Sequence, residues 1–290
     1  MEPYPENYHS RLQKTSHLSA RVIVPLLLKW VHPLRSVVDV GCGTGEWLAV
    51  FEEHNVEDVC GVDGDYVDKR MLAFPRERFI AHDLSSPLSL RRRFDLVMSL
   101  EVAEHLPAES AETFVRSLVN LGAVILFSAA IPGQEGHHHV NLQWQDYWAD
   151  LFDREGYAAV DCIRNHIWND HRVASWYAQN TILYVERERL RGEQMLKREY
   201  ELRGTSQLSL VHPRWWEAKM LEAEQEQERA ERQRLKAERQ RQRERIERQR
   251  VKAKRQQQRA KRQQERADRL KTELQARRSP WRRFLRRLSP

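Results

Sequence analysis

An α/β fold, a largely parallel sheet with helices on both faces and a long charged α-helix after it, follows from three observations. A β-branched run, Val37–Val40, meets the glycine-rich turn Gly41-Cys42-Gly43-Thr44-Gly45 and then a helical pattern; this is a strand–loop–helix junction of the kind that cradles nucleotide-like ligands. Short apolar runs then alternate with helically spaced segments as far as residue 186, the rhythm of a layered α/β sheet. From Glu217 to Arg277 the composition changes to Arg, Gln, Glu, Lys and Ala, with almost no β-former and neither Gly nor Pro, which favours helix.

Charge divides the 290 residues in the same way. The net charge is +7, but residues 217–290 hold 26 Lys and Arg against 12 Asp and Glu, a net of +14. The rest holds 23 against 30, a net of −7. A basic extension on an acidic globular part calls for an anionic partner of the extension. Three scattered cysteines, Cys42, Cys60 and Cys162, form neither a disulfide framework nor a zinc spacing, so a reducing, cytoplasmic setting is expected. The opening Met-Glu-Pro-Tyr-Pro-Glu has no basic or apolar region, so no signal peptide is expected. The longest apolar stretch, Val22–Leu28, is too short to span a bilayer.

Taken in order, residues 16–31 have helical spacing (Leu18, Val22, Leu26, Trp30) with Pro25 as a kink point, a helix expected to cover one edge of the ligand pocket. The first strand is 36–40 and its helix 45–54. The second strand, 58–62, ends at Asp63, 22 positions after Gly41. That is close to the spacing of an acid that binds vicinal ribose hydroxyls. A third strand, 78–81, ends at His82-Asp83-Leu84; a fourth, 94–100, runs into Glu101-Val102-Ala103-Glu104-His105. A helix at 110–120, a strand at 123–128, an aromatic-rich helix at 141–152, and strands at 157–163 and 181–184 complete the globular part.

Asp39 sharpens the ligand class. It stands two residues before Gly41, where a carboxylate repels a pyrophosphate and attracts an ammonium or sulfonium. The runs DVGCGTG (39–45) and FDLVxSxExxEHLP (94–107) together resemble the class I S-adenosylmethionine-dependent methyltransferases. The resemblance implies a Rossmann-like class I methyltransferase sheet and S-adenosylmethionine (SAM) as cofactor, held by Asp39, Gly41, Cys42, Gly43, Gly45, Asp63, Gly64, Asp83, Leu84 and Leu100. Asp83 matches the family position that contacts the adenine amino group; the competing reading makes it a cap for the segment that follows.

The acceptor side is read from the loop after the fifth strand. Consecutive His137, His138 and His139 do not converge readily on one ion, so no metal is expected. A general base is the better use of an imidazole, because methylating a hydroxyl requires removing its proton. His139 is the first candidate and His105 the second; a solvated polar loop is the competing reading for His137 and His138. The stretches IPGQEGHHHVNLQWQDYW, IWND and WYAQNTILY place aromatics beside amides and basic groups, as carbohydrate sites do. They resemble methyltransferases of bacterial surface-polysaccharide clusters, although the expected family loop has more glycine where this chain has His137 and His138.

The expected organisation is a methyltransferase domain at 1–186, a connecting segment at 187–216, a long charged helix or coiled coil at 217–278, and a basic amphipathic tail at 279–290. A heptad track of Ile246, Ala253, Ala260, Ala267 and Leu274 has polar partners at Gln249, Gln256 and Gln263. Pairing into a homo-oligomer, or with another partner, therefore competes with a solvated single helix. In the tail, Trp281, Phe284, Leu285 and Leu288 share one face and four arginines the other, the composition of a helix on an anionic membrane surface at the inner membrane face. The expected function is O-methylation of a sugar hydroxyl in surface-glycan biosynthesis. The alternatives are methylation of nucleic acid or of a small phenolic or quinone substrate, and a helical scaffold of a glycan-assembly complex.

Overall fold

The computed structural model describes residues 6–134, 136–203 and 207–285, with side chains described for 13–134, 136–203 and 207–275. Seven strands form one sheet: β1 (Ser36–Val40), β2 (Asp58–Asp63), β3 (Phe79–Ala81), β4 (Leu96–Leu100), β5 (Val124–Ser128), β6 (Tyr157–Val160) and β7 (Ile182–Glu186). Their order is β3-β2-β1-β4-β5-β7-β6. The first five are parallel, and β7 runs antiparallel to both β5 and β6. β4 and β5 are buried along their whole length, which is why they read as continuous apolar runs and not as alternating ones. The order reverses between β1 and β4, so a crevice opens beyond the carboxyl ends of these two strands, where ligands bind in open α/β sheets.

Two apolar layers sandwich the sheet. On one face β1 residue Val37 and β4 residues Leu96 and Met98 pack with α1 (Glu6–Trp30), through Ile23, Val24 and Leu27, and with α2 (Glu46–Glu53), through Leu48 and Phe51. On the other, Val38, Val40 and Val97 pack with Phe114 and Leu118 of α3 (Ala111–Leu121) and with Trp148 and Phe152 of α4 (Gln145–Arg154). Alternate strand residues thus serve opposite layers.

Two short helices, α5 (Arg164–Ile167) and α6 (Ser175–Asn180), precede β7. Arg164 is 1% exposed and is fully engaged. Its Nε and Nη2 donate to the two Asp161 carboxylate oxygens at 2.9 and 2.8 Å, and Nη1 donates to the carbonyls of Gln179 and Leu208 at 3.1 and 2.7 Å. A buried guanidinium is tolerated only with this degree of pairing, and it ties residues 207–212 to α6.

Several boundaries differ from the sequence reading, for local reasons. α1 starts ten residues earlier than expected, at Glu6, and continues through Pro25. α4 starts at Gln145, not Asn141, because the Val140 and Asn141 amides donate to the Glu104 carbonyl and hold that stretch extended. β6 stops at Val160, and Cys162 and Ile163 are buried in the core instead. The stretch read as a connecting segment contains α7 (Arg187–Gly192) and α8 (Gln194–Arg203), whose Leu190 and Leu196 join the first apolar layer; two leucines in charged surroundings were too sparse a signal.

The chain divides into two compact units, 1–218 and 219–290. The long helix, α9 (Pro213–Leu285), has 73 residues, about 110 Å of helix at 1.5 Å per residue. It begins on Pro213, whose missing N–H costs nothing in the first turn. From Met220 to Gln275 every side chain is exposed, Ile246 and Leu274 of the heptad track included. Arg232 pairs with Glu228 at 3.5 Å and Arg234 with Glu238 at 3.6 Å, exposed pairs that contribute little each. Within 279–290, the backbone is helical to Leu285, and the side chains on which the membrane expectation rests lie outside the described residues. Among the described residues, no helix is long and apolar enough to cross a membrane.

Candidate active site

At the carboxyl ends of β1 and β2 the glycine loop is pinned to its neighbours. The amides of Gly41 and Cys42 both donate to the Val62 carbonyl, at 2.7 and 3.2 Å. Gly41 has φ +90°, and a Cβ there would lie 2.2 Å from a Val102 methyl, so both conformation and space demand glycine. The Gly43 amide donates to Asp63 Oδ2 at 2.7 Å, while nothing lies within 4 Å of a Cβ built on Gly43. That face of the loop is open to a ligand. Gly45 caps α2, and Gln13 of α1 donates to Thr44 at 3.1 Å, so α1 borders the loop as the sequence reading expected.

Two acids lie under this loop. Asp39 is 3% exposed; burial first, and then the charge of Asp63, push its carboxyl up to about 8. An acid held in this way is matched by a cationic ligand. Asp63 is surrounded by donors: besides Gly43, the Gly64 amide at 2.7 Å and the Tyr66 hydroxyl at 2.5 Å both reach Oδ1. Burial pushes the Cys42 thiol up, which keeps it from acting as a nucleophile. Asp83, beyond β3, is exposed and accepts from the Ser85 amide at 3.0 Å and the Ser85 hydroxyl at 2.7 Å. Those bonds lower its pKa and give it the turn-capping geometry of the competing reading. Leu84 and Leu100 are buried, Leu100 as the last residue of β4.

At the ends of β4 and β5 the chemistry is different. Glu101 has φ +56°, a left-handed conformation that costs a non-glycine residue about 1–3 kcal/mol and concentrates at functional sites. Its amide is held by the Ser128 carbonyl at 2.9 Å. Its carboxylate accepts from Gln134 Nε2 at 3.0 Å and Asn180 Nδ2 at 3.1 Å. Gln134 in turn accepts from Gln179 at 3.2 Å and Asn180 at 3.1 Å, and all three amide side chains are buried. Burial pushes the Glu101 carboxyl up and these donors pull it back. Glu104 is raised further, by burial and then by the charge of Glu101.

The two imidazoles named from sequence come together here. His105 and His139 are 34 residues apart, yet their rings meet edge to face with centroids 4.8 Å apart. Desolvation lowers the pKa of both, His105 further through His139, even though His105 keeps part of its ring exposed. His137 and His138 make a separate ring pair at 4.0 Å. Among the histidines, the ring partner of His139 is therefore His105 and not its sequence neighbours. Tyr66, Glu104, Gln134, Gln179 and Asn180 were not singled out from sequence. The ExxEH spacing after β4 was the available signal for the two glutamates. The three amides carry no motif and meet only through the fold.

The comparisons with known proteins agree with this geometry. A family model described as a methyltransferase domain matches residues 11–165, more than half of the chain. None of the curated proteins matches. Among solved structures, DesVI from Streptomyces venezuelae is similar at 15% identity and a TM-score of 0.47, covering 64% of this chain and 99% of its own. SAM-bound CalS10, an amino pentose methyltransferase from Micromonospora echinaspora, shows 15% identity, a TM-score of 0.46 and the same coverage. Magnesium protoporphyrin IX methyltransferase from Synechocystis PCC 6803, with bound SAH, shows 15% identity and a TM-score of 0.45 over 64% of this chain and 90% of its own. At these identities the likeness is one of fold. With the parallel sheet, the open glycine loop over a buried acid, and the matching family model in place, the chain belongs to the methyltransferase domain family and is a SAM-dependent methyltransferase.

Proposed function

We propose that the chain methylates a hydroxyl oxygen of a sugar acceptor, in the assembly of a bacterial surface glycan. The single observation that carries this reading is the pair of imidazoles, His105 and His139, beside Glu101 and its buried amide donors at the ends of β4 and β5. SAM, when bound, supplies an electrophilic methyl group on a sulfonium. Asp39, the Gly41–Gly45 loop and Asp63–Gly64 would hold its amino-acid and ribose parts, with a ribose hydroxyl taking the place of the Tyr66 hydroxyl on Asp63. Asp83, Leu84 and Leu100 would flank the adenine.

On the acceptor side, His139 accepts the hydroxyl proton and His105 is the alternate acceptor. The oxygen lone pair would then take the methyl group, with the C–S electron pair leaving on the sulfur of SAM. Positioning the oxygen in line with the methyl carbon supplies much of the rate. Exposed aromatic side chains, Trp144 and Trp216 among them, offer faces on which sugar C–H groups stack. The basic α9 is the element for attachment, to a partner chain or, through its last residues, to anionic lipid.

The test is a turnover screen of the full chain with SAM against nucleotide-linked and lipid-linked sugars, with phenols, quinones and RNA oligonucleotides alongside. Methylation of a sugar supports the reading. Methylation of a phenol or of RNA, with none of any sugar, overturns it.

A further inference from the structure

Glu104 is the group in the site that the proton-transfer scheme does not use. It is fully buried, and among the described residues neither carboxylate oxygen makes a well-formed hydrogen bond, although the Glu104 and Ala130 amides lie near it. A buried carboxylate so poorly satisfied is costly, and it sits beside the second carboxylate, Glu101. One Glu104 oxygen, one His105 nitrogen and one His139 nitrogen all lie within 4.8 Å of one another.

The surroundings fix these three groups as ligands would be fixed. His139 Nδ1 is 2.8 Å from the Gln134 carbonyl; donating there leaves the Nε2 lone pair to bind, the outer-shell arrangement found behind metal-bound histidines. The ring lies over Gly136, where a Cβ would come within 2.3 Å of Nε2. The Glu104 carbonyl accepts from the Val140 and Asn141 amides at 2.8 and 3.1 Å, so the segment with Glu104 and His105 is stitched to the one with His139. His105 is exposed and His139 half-buried, which gives an ion a way in.

We infer that Glu104, His105 and His139 form a site for a divalent first-row transition-metal ion. Two imidazoles and a carboxylate suit Mn²⁺, Fe²⁺, Co²⁺ or Zn²⁺ better than Ca²⁺. Bonds of about 2.0–2.2 Å require the three ligand atoms to draw together, and the exposed His105 ring has room to turn. Three protein ligands leave positions open, and, resting on the function proposed above, the acceptor hydroxyl takes one of them. The ion then eases loss of the hydroxyl proton, as a Lewis acid does for bound water. With the ion bound, the two imidazoles serve as ligands in place of the base role given to them above, and the proton leaves to solvent past His105. The expectation of no metal site considered His137, His138 and His139 as a set; in the fold only His139 of the three belongs to this cluster.

The experiment is a titration of the untagged full chain with Co²⁺, read by its visible absorption, and with Mn²⁺, read by loss of the free-ion EPR signal. One equivalent is expected to bind. Glu104→Gln and His139→Ala are each expected to weaken binding by at least about a hundredfold, while His138→Ala leaves it unchanged. SAM affinity, measured by calorimetry on every variant, shows that the fold and the methyltransferase pocket are intact. Wild-type chain that binds SAM but no metal overturns the inference and leaves the two glutamates as a pair sharing a proton. Binding lost equally in His138→Ala also overturns it, because the consecutive histidines would then be the site. Failure of SAM binding in the wild type counts against the methyltransferase pocket, whereas the metal titration still decides the ligand set.

Discussion

The two halves of the crevice meet their polar groups in opposite ways. At the ends of β1 and β2, Asp63 is surrounded by donors, Gly43, Gly64 and Tyr66, and every partner lies within 20 residues of it in sequence. At the ends of β4 and β5, Glu104 makes no well-formed hydrogen bond among the described residues and two imidazoles stand beside it, and the participants come from residues 101 to 180. A ligand that is the same in every turnover is served by a rigid, pre-satisfied cradle. The reacting end keeps valences in reserve for groups that arrive with the acceptor. Damage to the first half should appear as lost affinity for SAM, and damage to the second as lost turnover at unchanged affinity.

The largest expected effect tests the second half. His139→Ala should lower kcat by about 10²–10⁴ on an acceptor found in the screen, with SAM affinity within about twofold of wild type by calorimetry. A full-rate His139→Ala together with an inactive His105→Ala would exchange the two roles. Full rate in both would show that neither imidazole, as base or as ligand, takes part.

Next comes the cradle itself. Asp63→Ala removes charge-assisted bonds worth roughly 1.5–3 kcal/mol, so Kd for SAM should rise about 10- to 150-fold by calorimetry. An unchanged Kd would move the ribose away from Asp63 and dissolve the contrast between the halves.

A pH effect of intermediate size belongs to Asp39. Its carboxyl is raised from 3.8 to about 8 by burial and by Asp63. Between those values the folded chain keeps a proton that the unfolded chain releases. On this account stability is greatest below about pH 4 and declines as pH rises towards 8. A bound cation favours the ionised form, so the rise in Tm given by saturating SAM should grow from pH 6 to pH 8, and Asp39→Asn should flatten it. A constant rise across that range would mean that Asp39 does not face the cation.

The smallest effect concerns Tyr66. If its hydroxyl stands where a ribose hydroxyl binds, Tyr66→Phe should tighten SAM binding by a few-fold, about 1 kcal/mol or less. Weaker binding in that variant would make the tyrosine part of the cradle instead of a placeholder.

How far each half was legible follows from the same contrast. The glycine loop, Asp39 and Asp63 are local features with fixed spacing, and the strand–loop–helix junction at 36–53 stands where the sequence put it. The sheet's elements were legible because their apolar runs are long enough to be periodic. The acceptor half was legible mainly at His105 and His139, through a family motif and an imidazole in a loop. Gln134, Gln179 and Asn180 read as ordinary polar residues until Arg164, Leu208 and His212 packed them behind Glu101. The start of α9 at Pro213 was missed because the paired tryptophans that follow it resemble the end of a loop as much as the beginning of a helix.

One contact carries an evolutionary consequence. Gly136 leaves room for the ring that lies over it, His139 Nε2 being 2.3 Å from where a Cβ would stand. The methyl group of alanine would make the imidazole shift. Selection on position 136 is therefore conditional on position 139. Descendants that keep His139 should keep Gly136, and lineages that abandon the histidine should be free to fill the glycine. Along a phylogeny, substitutions at the two positions should be linked, with the loss of His139 preceding the gain of a side chain at 136.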